Sequence, residues 1–491
     1  MTSLYPRRAF GRAATLFAAA AVCLYPETAG ARDKSDSPGS VVTRGQFVKS
    51  PYPVNDAAST FDAGHSYDLS SLIELSLGNN PYTRSAWFHA LASAASVGEA
   101  KAPYYPKLGF MAKGGYDNGY NPIQTGTESY SRVSINPGLE LEYLLLDFGR
   151  RSSDVRRTVA LLDAANLTFS RRVQTTVFAV QQAYFAHVAA LSQQEAAKAN
   201  LELSKTILAM VEAQVANGLG TKPELDAARK TFAQADFDTA AADRNAEVTL
   251  GNLRIAAGLQ ANAPLKVAAP SGKGDTKGIE GSVDRLIDIA IAKRPDLAAR
   301  EAEIKANRAA VERAKADFLP KLSLIGGYSN ETFGYSASLG GVNGTFEGNY
   351  NHVGGFAVMS WDLFDGFQRV ERVKKRQAEE SEARANAEAT KLDTTRDVWT
   401  AYNDSLRAGK RVAFADSLVA SAEENFKSVD SAFRNGLSNI TELISNQSAL
   451  AAARFEQAGA RADYLTSLAS LSLAMGQVPT PSGTSVRPAS L

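Results

Sequence analysis

The sequence predicts an α+β membrane protein built as a tandem internal repeat, in which each copy joins very long helices to one two-stranded hairpin. Three observations predict it. The chain of 491 residues is written twice at a nearly fixed offset. Two stretches, 152–217 and 367–435, contain no proline and, apart from Gly409, no glycine. Upstream of each long stretch, apolar and polar residues alternate with the period of a strand.

The repeat organises the whole chain. Pro81 and the Pro106-Lys107-Leu108 end match Pro295 and Pro320-Lys321-Leu322 at an offset of 214. Further on the offset is 218: Val180, Ala183 and Tyr184 match Val398, Ala401 and Tyr402. Asn217-Gly218-Leu219 matches Asn435-Gly436-Leu437, Glu224-Leu225 matches Glu442-Leu443, and Gly258 matches Gly476 at the same offset. Four extra residues therefore lie between Leu322 and Asp365. Copy one is read as 67–258 and copy two as 283–477, joined by a Gly-, Pro- and Lys-rich connector, 259–282, and followed by a tail, 478–491.

The long stretches read as helices on the order of 100 Å, at about 1.5 Å per residue. Val173, Val177, Val180, Tyr184 and Leu191 recur in steps of three and four, with a gap at His187. Asn217-Gly218 and Asn435-Gly436 suit left-handed helix ends, and Pro223 suits the start of a following helix. Residues 217–224 and 435–442 are thus expected to be tips of helical hairpins. Ser71 with Glu74 reads as a capping box opening the first helix of copy one.

The strands are clearest over 132–147. Val133, Ile135, Leu139, Leu141, Tyr143 and Leu145 take odd positions, while Arg132, Ser134, Asn136, Glu140 and Glu142 take even ones. One apolar and one charged face suit a lipid-facing exterior and a wet lumen. Leu108 to Tyr116, a run from Leu322, and Val353 to Leu363 supply the other strands, giving hairpins over 108–147 and 322–365. The Asn- and Gly-rich stretches 118–130 and 336–350 read as exposed loops. Four strands cannot close a barrel, and open edges are not tolerated in lipid, whereas three copies would give twelve strands.

The N-terminus carries Arg7, Arg8 and Arg12, then an alanine-rich apolar run from Ala13 to Tyr25, then Ala29-Gly30-Ala31. This is the three-part pattern of a secretory signal over 1–31, with cleavage after Ala31 and an extended segment over 32–66. Cys23 is the sole cysteine and lies within that signal behind Val22, a poor setting for lipid attachment. A non-lipidated mature chain is expected, without disulfides or cysteine–metal sites. No later stretch reaches the roughly 18–20 apolar residues of a membrane-spanning helix. Formal charge is +1, from 53 basic and 52 acidic side chains, which leaves no electrostatic footprint for nucleic acid.

Taken in order, the Leu69–Pro81 and Leu286–Pro295 segments, the two Pro-Lys-Leu ends, the strand-to-helix turns Leu146-Asp147-Phe148-Gly149-Arg150 and Leu363-Phe364-Asp365-Gly366-Phe367, and the Asn-Gly-Leu tips resemble the outer-membrane efflux protein family of TolC-like channels. The resemblance covers about 67–477. It implies a homotrimer with a 12-stranded β-barrel in the outer membrane, four strands per chain, continued by a long periplasmic α-helical barrel and girdled by a mixed equatorial region. It also implies a periplasmic adaptor protein and an inner-membrane pump as partners. The adaptor would dock on the tips at Asn217, Gly218 and Leu219 and at Asn435, Gly436 and Leu437. The family's periplasmic mouth maps onto Glu442, Ser445, Phe433 and Ser438. Glu442 keeps one family acid, Ser445 replaces a second, Phe433 lacks the hydroxyl of an aromatic partner, and Ser438 stands where a basic latch can occur. A ring of Glu442 would favour cations. Read without the family, Glu442 and Glu224 are helix N-terminal acids favoured by the dipole.

No catalytic pattern is present: there is no phosphate-binding Gly-rich loop with Lys-Ser/Thr, no His-Glu-x-x-His and no Gly-x-Ser-x-Gly. His65, His89, His187 and His352 fall on different elements, so neither a cofactor nor a metal is expected, and His187 reads as a packed side chain. The reading is a non-enzymatic export duct for tripartite drug or solute efflux or for type I protein secretion. The alternative is a soluble periplasmic coiled-coil scaffold that keeps the helices and conducts nothing.

Overall fold

The computed structural model describes residues 40–43, 46–49, 61–123, 126–268, 282–339 and 342–477. The export signal with its cleavage at Ala31, most of the connector and the C-terminal tail lie outside the described residues. A short hairpin, β1 (Ser40–Thr43) with β2 (Gln46–Lys49), precedes the first copy.

Each copy repeats one plan. In copy one, β3 (Ser66–Tyr67), α1 (Leu69–Asn79) and α2 (Pro81–Lys101) lead to strands β4 (Lys107–Ile123) and β5 (Gly126–Leu146). The long helices α3 (Arg150–Ala216) and α4 (Lys222–Ala256) follow, then β6 (Lys266–Val267). In copy two, α5 (Val283–Lys293) and α6 (Pro295–Ala316) lead to β7 (Lys321–Leu339) and β8 (Val342–Ser360), then α7 (Gln368–Arg434) and α8 (Ile440–Ala474). The helices α3 and α7 both hold 67 residues, and α4 and α8 both hold 35, so the duplication is one of structure as well as sequence. At about 1.5 Å per residue, α3 and α7 are each about 100 Å long.

The first helix starts earlier than the Ser71 capping box predicts. Asp68 is its N-cap, and its carboxylate accepts the Ser71 N–H at 2.8 Å. Hydrogen bonds from Ser71 hold the Asp68 carboxyl below its ordinary range. Asn80 ends α1 and at once caps α2 by accepting the Tyr82 N–H at 2.9 Å, with Pro81 at a position where no N–H is needed. Gly258, at φ +78°, presses against the backbone of Asn79 and Asn80, and Gly476, at φ +69°, presses against Lys293 and Arg294. The end of each copy is thereby seated on the kink between its own two short helices. The parallel pair β3–β6 adds a small two-stranded sheet.

The gap in the α3 stripe at His187 is filled. Val173, Val177, Val180, Tyr184, His187 and Ala190 are all buried, whereas Leu191 is exposed. The His187 ring meets the Thr249 hydroxyl of α4 at 3.2 Å, and burial pushes its pKa down. The main core gathers Leu72, Trp87, Phe169, Val173 and Leu253, with the Trp87 and Phe169 rings 5.6 Å apart. Helix α3 packs on α2 and α4 of its own copy and on α6 and α8 of the other.

The strands form one antiparallel sheet in the order β4-β5-β7-β8, with the two copies joined at β5–β7. Hairpin pairing runs unbroken from Lys107↔Glu142 to Ile123↔Gly126 and from Lys321↔Ser360 to Leu339↔Val342. Residues 118–123, 126–130, 336–339 and 342–350 are therefore strand rather than loop. Their Asn- and Gly-rich texture reads as turn chemistry, but ladder pairing and cross-strand side-chain bonds hold it extended. The four extra residues also find their place. Three residues link β5 to α3, and seven, Trp361 to Phe367, link β8 to α7. Both links end in two consecutive left-handed residues, Phe148-Gly149 and Gly366-Phe367. Each link is anchored by an aspartate whose carboxylate accepts from the backbone N–H and the side chain of an arginine one turn into the helix, Asp147 with Arg151 and Asp365 with Arg369.

Candidate functional site

The first candidate surface is the wall made by the sheet. Over its helix-proximal part the odd residues of β5 share a face with Leu108, Phe110 and Tyr116 of β4, through pairs such as Phe110↔Leu139 and Tyr116↔Val133. Tyr328 and Val353 continue that face through Leu139↔Tyr328 and Tyr328↔Val353. Leu108, Phe110, Val133, Ile135, Tyr328, Val353 and Met359 are all exposed. A face this apolar and this exposed belongs in lipid. The opposite face carries Lys107, Lys113, Glu140 and Glu142. Strands β4 and β8 are the sheet's open edges. No helix among the described residues is long and apolar enough to cross a membrane.

The second candidate surface is the far end of the helices. Both long helices close in the same way. The Leu219 N–H donates to the Gln214 carbonyl at 2.8 Å and the Gly218 N–H to the Val215 carbonyl at 3.1 Å, with Gly218 at φ +74°. Leu437 and Gly436 repeat the pattern onto Ala432 and Phe433. In this termination the residue after the glycine ordinarily packs back on the helix. Here Leu219 is 82% exposed and Leu437 83%, so each tip presents a leucine to solvent. Asn217 and Asn435 donate their side-chain amides to Ala213 and Ser431 carbonyls, both at 2.8 Å, and act as caps.

The four predicted mouth residues do not share one environment. Phe433 is buried with Ile207, Val211, Ala228, Val429, Ile440 and Leu443, in a cluster that binds the two hairpin ends together. It is a packing residue in this chain rather than part of an exposed lining. Ser438 donates its hydroxyl to Glu442 Oε2 at 2.6 Å, and Asn439 caps α8 by accepting the Glu442 N–H at 2.9 Å. Glu442 and Ser445 are exposed and one turn apart on the same helix face. Glu224 differs: its carboxylate accepts the Thr221 N–H at 2.7 Å and the Thr221 hydroxyl at 2.8 Å. The Thr221 backbone bond, then the hydroxyl, lowers its pKa. The Glu224 carboxylate is committed to its own helix start, whereas Glu442 is held only by a neighbouring serine.

A third surface was missed in the sequence. Gln174 and Asn200 of α3 meet α8 and the turn that follows it, Gln174 donating to the Gly476 carbonyl at 3.0 Å and Asn200 accepting from Gln447 at 2.9 Å. Their partners at the 218 offset on α7 are Leu392 and Leu418; between these, Trp399 and Phe414 stand at the counterparts of Gln181 and Ala196. All four are exposed. The α8 side of the same contact includes Phe455 and Leu473, whose carbonyls accept from Gln193 and Arg171. Their counterparts on α4 are Phe237 and Ile255, both more exposed than Phe455, which is 47% exposed, and Leu473, which is half-buried. The contact made once inside the chain is thus offered a second time, as two uncovered halves.

Among the described residues no group of three or more His, Cys, Asp or Glu side chains could hold a metal ion. Buried charge lies at the strand-to-helix links, in Asp147 and Arg369, and beside the short helices of copy two, in Arg294. Arg294 donates to Asp296 at 2.6 Å and to Asp397 at 3.0 Å, and Arg171 lies 3.8 Å from Asp296. Burial opposes the Asp296 charge, but the two guanidiniums outweigh it and hold its pKa below the ordinary value. This network ties α3 of copy one to α6 and α7 of copy two.

A family profile described as "Outer membrane efflux protein" matches residues 72–259 and 286–477. The chain is 26% identical over 343 residues to Protein CyaE of Bordetella pertussis, covering 70% of this chain and 69% of that one. It is 24% identical over 375 residues to Outer membrane protein OprJ of Pseudomonas aeruginosa, covering 76% of each. Its fold is similar to that of a crystallised membrane protein from Pseudomonas aeruginosa, with a TM-score of 0.70 at 22% identity, covering 85% of this chain and 92% of that one.

Proposed function

The chain belongs to the outer membrane efflux protein family, and from that premise we propose that three copies close into one continuous duct through the outer membrane and the periplasm. It is an outer-membrane channel protein of a multi-component export system. The soluble-scaffold alternative has no use for a lipid-suited sheet and is set aside. In the proposed trimer, four strands per chain give twelve, and the open edges β4 and β8 pair between neighbours. The four long helices per chain likewise give twelve.

The observation that carries this reading is the repeated helix contact. The stripe Leu392, Trp399, Phe414 and Leu418 of one chain meets the Phe237 and Ile255 side of α4 in the next, as α3 meets α8 within a chain. A heterologous contact of this type closes into a ring of three when its rotation is a third of a turn. Leu219 and Leu437 at the tips dock a periplasmic adaptor, which connects the duct to an inner-membrane pump. Glu442, steadied by Ser438 and followed by Ser445, contributes the negative charge of the periplasmic mouth.

The test is to fractionate cells expressing the full chain, cross-link the membrane fraction and read the mass. A species of three chains in the outer membrane, released only by detergent, supports the duct. A soluble periplasmic monomer or dimer refutes the barrel together with the roles given to the tips.

A further inference from the structure

The sheet reverses its facial pattern beyond the lipid-suited band. On the face that is apolar near the helices, β7 and β8 turn polar from Asn330 and Asn351 onward. Asn330 donates to Asn349 at 2.9 Å and to Asn351 at 2.8 Å, and Asn349 donates to Thr332 at 2.6 Å. Such a ladder is costly in hydrocarbon and at ease in water. The other face, which near the helices is charged on β4 and β5 and carries Ile325, Phe356 and Val358 on β7 and β8, gathers rings over the same rows. Phe333 lies 5.8 Å from Phe346 and 6.0 Å from Tyr350, and Tyr130 stacks on Tyr335 at 5.7 Å. Arg132, paired with Glu331, sits 5.0 Å over the Phe333 ring.

The strands are therefore continuous through lipid and beyond it, with a water-facing outside and an aromatic inside at their far end. A twelve-stranded wall encloses a bore rather than a packed core, and Phe346 is 62% exposed. Rings kept exposed towards an aqueous passage have no folding core to fill. Two glycines set how far the rings intrude: Tyr130 lies over Gly119, and Phe333 lies over Gly348. A Cβ at Gly348 would stand 2.6 Å from Phe333 Cζ, so only glycine lets that ring lie flat on the wall.

We propose that this end is an exit collar standing clear of the membrane, whose rings contact cargo bearing aromatic or apolar groups as it leaves. The proposal rests on the duct reading above. Every strand that supplies a ring is paired across its whole length, so the rings are held on a rigid wall rather than on loops.

The test uses the purified full-length protein in planar bilayers, with tetraphenylphosphonium as an aromatic probe and tetramethylammonium as a control of like charge. In the wild type, tetraphenylphosphonium added on the collar side reduces the open-channel current and tetramethylammonium does not. Phe346→Ala weakens that block about fivefold, the scale of one lost ring contact per chain, while Phe110→Ala on the lipid face leaves it unchanged. Gly348→Ala acts oppositely, lifting Phe333 towards the axis, lowering the current and tightening the block. A conducting wild type whose block is absent, or is the same in all three variants, overturns the collar and leaves the duct standing. A wild type that forms no channel overturns the duct itself.

Discussion

Replacing Trp399 by alanine should weaken the trimer without unfolding the chain. Trp399 is 56% exposed in the isolated chain, and its counterpart Gln181, covered by neighbouring helices, is 8% exposed. If the next chain covers Trp399 as well as Gln181 is covered here, the ring loses the difference, about half of its surface. A tryptophan presents roughly 250 Å², so about 120 Å² leaves water at each interface. At about 25 cal/mol per Å² this is worth about 3 kcal/mol, and a closed ring contains the contact three times. Trp399→Ala is thus expected to remove about 6–9 kcal/mol from the assembled ring. Sedimentation velocity in detergent should show monomer at concentrations where the wild type is wholly trimeric, and the temperature of trimer dissociation should fall. Helix content by circular dichroism should not change, because most of the Trp399 side chain is open to solvent within its own chain. Leu219→Ala, which removes a still more exposed side chain at a tip, should leave the trimer intact. If Trp399→Ala dissociates at the wild-type temperature, the second contact is not made and the two copies do not repeat their packing between chains.

Other expectations follow from single residues. Gly258→Ala should destabilise by about 2–5 kcal/mol, combining a left-handed backbone cost with overlap on Asn79 and Asn80. Gly218→Ala, at a similar φ with open space around it, should cost only about 1–2 kcal/mol; equal shifts in thermal midpoint would refute the seating of Gly258. His187 is held below its ordinary value of about 6.5 by burial. The unfolded chain therefore binds its proton first. Stability from this group is full above that value and is lost as pH falls towards the folded value, by at most about 1.4 kcal/mol per pH unit. His187→Gln should flatten that slope in thermal melts between neutral and mildly acid pH. Leu219→Asp combined with Leu437→Asp should abolish adaptor capture in pull-downs while the cross-linked trimer persists, and capture at wild-type level would remove the tips from the docking surface.

Much of this architecture is legible in the residues. The Asn-Gly-Leu ends fix where the long helices stop, and the alternation around Val133 to Leu145 fixes which strand face is apolar. What escapes has identifiable causes. The collar strands hide because Asn and Gly favour turns locally, while the side-chain ladder of Asn330, Asn349 and Asn351 exists only once β7 and β8 have paired. The Ser71 capping box misleads because Asp68 competes for the same N–H and sits three residues nearer the start of the helix. Phe433 follows Val429 by one helical turn, a spacing that indicates packing, and family position draws attention away from it. The open stripe on α7 could have been found by comparing the copies. Leu392, Trp399 and Leu418 stand opposite Gln174, Gln181 and Asn200, a polar-to-apolar exchange with no purpose inside one chain.

The unequal links between strands and helices carry a mechanical consequence. With three residues between β5 and α3, and Arg151 reaching back to the Leu144 and Leu145 carbonyls, a displacement of α3 passes directly into the wall. The seven-residue link before α7 can reach about 25 Å when extended, against about 10 Å for the other. In the proposed trimer, short and long couplings would alternate around the wall. Because Phe433 and its cluster bind the two hairpin ends together, a displacement at the tips would be shared by both hairpins yet would enter the wall unevenly, through the short link more directly than through the long one.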